Sequence, residues 1–100
     1  MLKEKGAIGI LETKGFVNLL NSLDAMLKAS NVKILEHQKI GAGLISISIY
    51  GDIGSVRVAI DAGIEEGKKS GCKDLKATIL ANPVEEMNKI FLVEKNNEKK

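Results

Sequence analysis

Apolar positions along this chain alternate, then recur every three to four residues, and then repeat the cycle. Residues 6–13, GAIGILET, place Ile8 and Ile10 on one face and Gly9 and Leu11 on the other, which predicts a strand. A glycine in mid-strand predicts a neighbour packed close against it. From residue 16, Phe16, Leu19, Leu20, Leu23, Met26 and Leu27 follow helical spacing, so this stripe is expected in the core. Asn18, Asn21, Ser22 and Lys28 fall on the wetter side, and Asp24 stands four residues before Lys28, a pairing worth about 0.3 kcal/mol. Two more strands follow, VKILEHQKI with Val32 and Ile34 on one side, and LISISIY with Ile45, Ile47 and Ile49 on one face and Ser46 and Ser48 on the other. The link between them, Gly41-Ala42-Gly43, is short enough for an antiparallel hairpin.

Asp52 is the expected cap of a second helix carrying Ile53, Val56, Ile60, Gly63 and Gly67 on one face. Gly63 and Gly67 each cost the helix about 1 kcal/mol, which predicts a close approach of its backbone to the sheet. Gly71 suits the helix stop. LKATILA reads as a fourth strand, Pro83 opens a short helix over VEEMNKIF, and residues 94–100 form a polar tail expected to be flexible. The order β-α-β-β-α-β plus a short C-terminal helix predicts an α+β fold, a ferredoxin-like split βαβ arrangement with an antiparallel sheet. Residues 1–93 read as a single domain.

Composition narrows the functional classes. Fifteen basic and thirteen acidic residues leave a net charge of +2, too balanced to argue for nucleic acid or membrane. No apolar run approaches the ~20 residues of a membrane span. The first residues show no signal-peptide core, and the single Cys72 cannot form an internal disulfide, so a reducing cytosolic setting is expected. The three aromatics are Phe16, Tyr50 and Phe91, so the core must come from aliphatic side chains. Only Tyr50 falls in a strand, which removes the base-stacking chemistry of RNA-binding sheets.

The glycine pair before LISISIY invites a phosphate reading, but a dinucleotide fingerprint needs a third glycine and a following helix, and here Ser46 and a strand follow. Gly51-Asp52-Ile53-Gly54 does enter a helix, yet the Asp52 carboxylate repels an anion. One histidine, His37, and one cysteine make no Cys/His metal cluster, and a nucleophile pair of the two would require them to meet in space. Glu12 and Lys14 read as anchors of the strand-to-helix turn rather than as catalytic groups. No enzyme, metal or cofactor is expected.

Several motifs together resemble the hexamer-forming shell proteins of bacterial microcompartments. They are Glu12-Thr13-Lys14-Gly15; Asp24-Ala25-Met26 with Lys28; Lys39-Ile40-Gly41; and Gly51-Asp52 with Gly54, Asp61, Ala62 and Gly63. The resemblance spans about Gly6 to Phe91, in the standard element order. It implies homohexamers that tile edge to edge into a shell lying in the cytoplasm, in contact with other shell proteins and with encapsulation peptides of enclosed enzymes. It also implies a central pore lined by Lys39, Ile40, Gly41, Ala42 and Gly43, where glycine allows identical loops to converge, and a tile edge using Lys28, Asn31 and Asn82. Two positions depart from the family's common pattern: Ala42 where Ser is frequent, and Asn82 where Arg is frequent. The alternative from another class is a cytosolic oligomeric regulatory domain that binds a small metabolite.

Overall fold

The computed structural model describes residues 6–81. The elements are β1 (Gly6–Lys14), α1 (Phe16–Ala29), β2 (Lys33–Gly41), β3 (Leu44–Asp52), α2 (Ile53–Lys69) and β4 (Lys76–Ala81). They form an antiparallel sheet in the order β2-β3-β1-β4, so the α+β reading and its element order hold. Asn82, the short helix expected after Pro83 and the polar tail lie outside the described residues.

Strand β1 occupies the middle of the sheet because both of its edges find partners: Gly9 stands between Ile49 of β3 and Ile79 of β4. Its odd-numbered residues turn to the helices. A Cβ at Gly9 would lie 2.8 Å from the Cγ1 atoms of both Ile60 and Val56, so the expected close neighbour is α2. Ala7 and Leu11 join Ile45, Ile47 and Ile49 of β3 and Leu19, Met26, Val56, Ala59 and Ile60 of the helices in one core. The even-numbered residues of β1 form the opposite face, where the Tyr50 ring lies over Gly6.

The helix boundaries have local causes. Asp52 caps α2: its Oδ1 accepts from the Ser55 N–H at 2.9 Å and its Oδ2 from the Ser55 hydroxyl at 2.8 Å. At the other end Gly71, with φ +79°, donates to Lys68 O, and Cys72 donates to Gly67 O, the paired bonds of a Schellman stop.

Four expectations about faces need correction. Ser22, expected on the wetter side of α1, is fully buried, and its hydroxyl donates to Gly63 O at 3.1 Å. Phe16, Leu20 and Leu27, expected in the core, are exposed, because α1 turns only the Leu19–Ser22–Met26 side inward. The approach that Gly63 allows is mainly to the other helix: its Cβ would meet Met26 Cγ at 2.8 Å, with Leu11 of the sheet at 3.1 Å. Gly67 makes room for Leu75 in the segment leading to β4. Finally, Val32 is buried but Ile34 is 45% exposed, since every residue of β2 is exposed.

Candidate functional site

The link between β2 and β3 is a two-residue turn, closed by the pairing of Gly41 with Leu44. Ala42 and Gly43 have φ of +53° and +81°, the signs of a type I′ turn, whose twist matches that of the strands it joins. Gly41 adds a third positive φ, +115°. Ala42 is the sole non-glycine with positive φ among the described residues, at a cost of about 1 kcal/mol. A Cβ on Gly41 would meet nothing within 4 Å. Its dihedral, rather than crowding inside the subunit, therefore demands glycine there. Gly41, Ala42 and Gly43 are all exposed.

The turn is braced from β1 and the start of α1. The Gly15 N–H donates to Gly43 O at 3.0 Å. Gly15 itself has φ +92°, and Asn18 Nδ2 donates to Lys14 O at 2.9 Å, fixing the junction. The Lys14 stem lies along the turn: its Cγ and Cε are each 3.6 Å from where a Gly43 Cβ would stand. Lys14 thus packs beside the hairpin turn, whereas the reading from sequence placed it as an anchor of the strand-to-helix turn. Lys39 stands opposite Ile45, and the register shifts between Lys39 and Gly41, so Ile40 sits in an irregularity and is half exposed.

The tile-edge candidates lie at the other end of the molecule. Helix α1 leaves the turn region at Phe16 and rises about 20 Å over its length. Lys28, in its last turn, is exposed and holds Asp24 at 2.9 Å, the expected i,i+4 pair. Asn31 follows, exposed, with its carbonyl oxygen against Gly51 near the far end of β3. Ser30 ties this corner to α2 by donating to Ser55 O at 2.6 Å. So the turn set and the edge set occupy opposite ends of one sheet, with Asn82 outside the described residues.

Among the described residues, other chemistry is not assembled. His37 is on edge strand β2, while Cys72 lies in the turn leading to β4 at the opposite edge, so the two do not form a nucleophile pair. An open depression of about 470 Å³ is lined by Glu12, Leu44, Lys73, Asp74, Leu75 and Lys76.

The sheet, its two helices and the glycine turn agree with a family model described as the BMC domain, which matches residues 7–83. The chain belongs to the BMC domain family. Over 89 residues it is 35% identical to the bacterial microcompartment shell protein PduA of Citrobacter freundii, covering 88% of this chain and 94% of that protein. It is 33% identical over 86 residues to the carboxysome shell protein CcmK2 of Thermosynechococcus vestitus, covering 85% and 84% respectively. Among solved structures it resembles a microcompartment protein from Desulfitobacterium hafniense DCB, with a TM-score of 0.69 and 28% identity. That likeness covers 77% of this chain and 41% of the longer one. The BMC-domain chain is thus a structural shell protein rather than an enzyme, and its place is the shell of a bacterial microcompartment.

Two features escaped the sequence reading. Thr13 is fully buried and its Oγ1 has no hydrogen-bond partner among the described residues. Strand β2 carries two register shifts, Ile34/Glu36 and Lys39/Gly41, which no alternation pattern announces.

Proposed function

We propose that this BMC-domain chain forms cyclic homohexamers that tile edge to edge into a shell facet, with a central pore for small polar or anionic metabolites. Lys39, Ile40, Gly41, Ala42 and Gly43 surround the pore; Lys28, Asn31 and Asn82 serve the outer edge. The observation that supports this most is the separation of the turn and the Lys28–Asn31 corner to opposite ends of one sheet, as a wedge-shaped subunit of a ring requires. Exposed apolar side chains support assembly as well: Ile34, Leu35 and Ile40 on β2, and Phe16 and Val17 on α1, are each 44–69% exposed. A chain of this size gains core-like area by joining its copies, and a closed head-to-tail ring uses two different surfaces of each. Other shell proteins and encapsulation peptides of enclosed enzymes are the expected further partners, within the cytoplasm.

Two measurements test the reading. Light scattering coupled to size exclusion is expected to give a hexamer, and a monomer persisting at high micromolar concentration overturns it. Passage is tested with closed shells made mainly of this protein: Ala42→Leu should slow metabolite flux while hexamers persist, and Ala42→Ser should make the rim more polar. Flux through Ala42→Leu shells equal to wild type removes the pore as the route.

A further inference from the structure

Alternation along the strands puts the two lysines beside the turn on opposite faces of the sheet. Lys39 pairs with Ile45, whose side chain belongs to the core, so Lys39 registers on the face that the helices cover. Lys14 pairs with Leu44 and is in phase with Glu12 and Ile10, so it registers on the open face. Its stem runs alongside Gly43, and its backbone is fixed by the Asn18 hydrogen bond to the Lys14 carbonyl and by the neighbouring Gly15 to Gly43 hydrogen bond. The ammonium is one covalent bond beyond Cε and is therefore delivered to the turn itself. Among the described residues no carboxylate forms an ion pair with it. Glu12, two residues down β1, stands opposite Lys76, and Glu36 stands further along, opposite Ser48.

We infer that Lys14 is a second specificity-determining residue of the pore, placing positive charge at the open-face mouth while Lys39 places it at the other. The inference rests on the pore reading above and extends it: anions meet a favourable field at both mouths, so the passage has little polarity. A single charged ring would leave one mouth neutral. Asn18 and Gly15 are positioning residues in this scheme, since they act through Lys14 and Gly43.

The test uses assembled tiles in a planar bilayer under a potassium chloride gradient. The chloride-to-potassium permeability ratio is read from the reversal potential, and rectification from the current at opposite voltages. Wild type should favour chloride with a nearly symmetric current. Lys14→Met, which keeps the stem and removes the charge, should lower the ratio severalfold and make the current rectify. Lys39→Met should do the same with rectification of the opposite sense, and Lys14→Arg should behave as wild type. A residue with a merely structural role would change conductance or assembly without this split. If Lys14→Met does not form hexamers by light scattering, Lys14→Gln carries the same expectation. A second readout is release from closed shells of sulfonated against quaternary-ammonium dyes of equal size, where the neutral variant should narrow the difference. Selectivity and current shape unchanged in the neutral Lys14 variant, with Ala42→Leu blocking, overturn the role of Lys14 alone. Wild-type conduction by Ala42→Leu instead removes the pore reading and this inference with it.

Discussion

Gly9 and Thr13, four residues apart on the core face of β1, illustrate opposite kinds of sensitivity. At Gly9 the space is already filled by Ile60 and Val56 of α2, both at 2.8 Å from an added Cβ. Gly9→Ala should therefore destabilise by about 1–3 kcal/mol through overpacking, read as a lower urea midpoint at fixed protein concentration. At Thr13 the side chain is fully buried and its hydroxyl has no partner among the described residues. Thr13→Val keeps the shape and removes the unmet donor, so a gain of about 1 kcal/mol is expected in the same measurement. An unchanged or lower midpoint would show that the hydroxyl has a partner in the assembled protein. The Gly9 contact was legible in the sequence, because a glycine inside a strand implies a close neighbour. The Thr13 orphan was not, because threonine suits a strand whether or not its hydroxyl is met.

Helix α2 shows what an element's end contributes. The Ser55 N–H and, next, its hydroxyl stabilise the charged form of Asp52 and hold its carboxyl below the ordinary carboxylate value. The linkage sign follows from that depression: the stabilisation is fully present above the ordinary value and is lost as pH falls through the folded-state value. Wild type should thus lose more melting temperature between about pH 5 and pH 3 than Asp52→Asn, which still accepts a hydrogen bond but does not titrate there. Parallel pH profiles for the two proteins would remove the cap as the cause. Asp52 and Gly71 were readable as helix boundaries because capping is local chemistry. The inward face of α1 was not, because Ser22 looks polar until Gly63 is seen offering its carbonyl. The stripe from Phe16 to Leu27 is wider than one neighbouring helix and sheet can cover, so its margins remain on the surface. The pore candidates were legible as a hairpin turn, whereas the pairing of Lys14 with Leu44 required the β1–β3 register.

At the scale of the whole molecule the two ends of the sheet are expected to answer to different assays. Lys28→Ala, which also removes the Asp24 pair, should cost the subunit no more than about 0.5 kcal/mol, as exposed i,i+4 pairs do. It should leave hexamers intact while reducing sheets or tubes in negative-stain images, and Asn82→Arg should increase them. Arrays of Lys28→Ala equal to wild type, under conditions where wild type assembles, would remove Lys28 from the tile edge. The long exposed strand β2 has a consequence for the newly made chain. Its outer edge offers a row of backbone donors and acceptors to any extended polypeptide, which is the starting point of fibrous aggregation. Lys33, Glu36 and Lys39 interrupt its apolar residues with charge, and its two register shifts spoil a flat template. These irregularities act as gatekeepers on the strand edge, opposing fibrous pairing before the proposed hexamer forms.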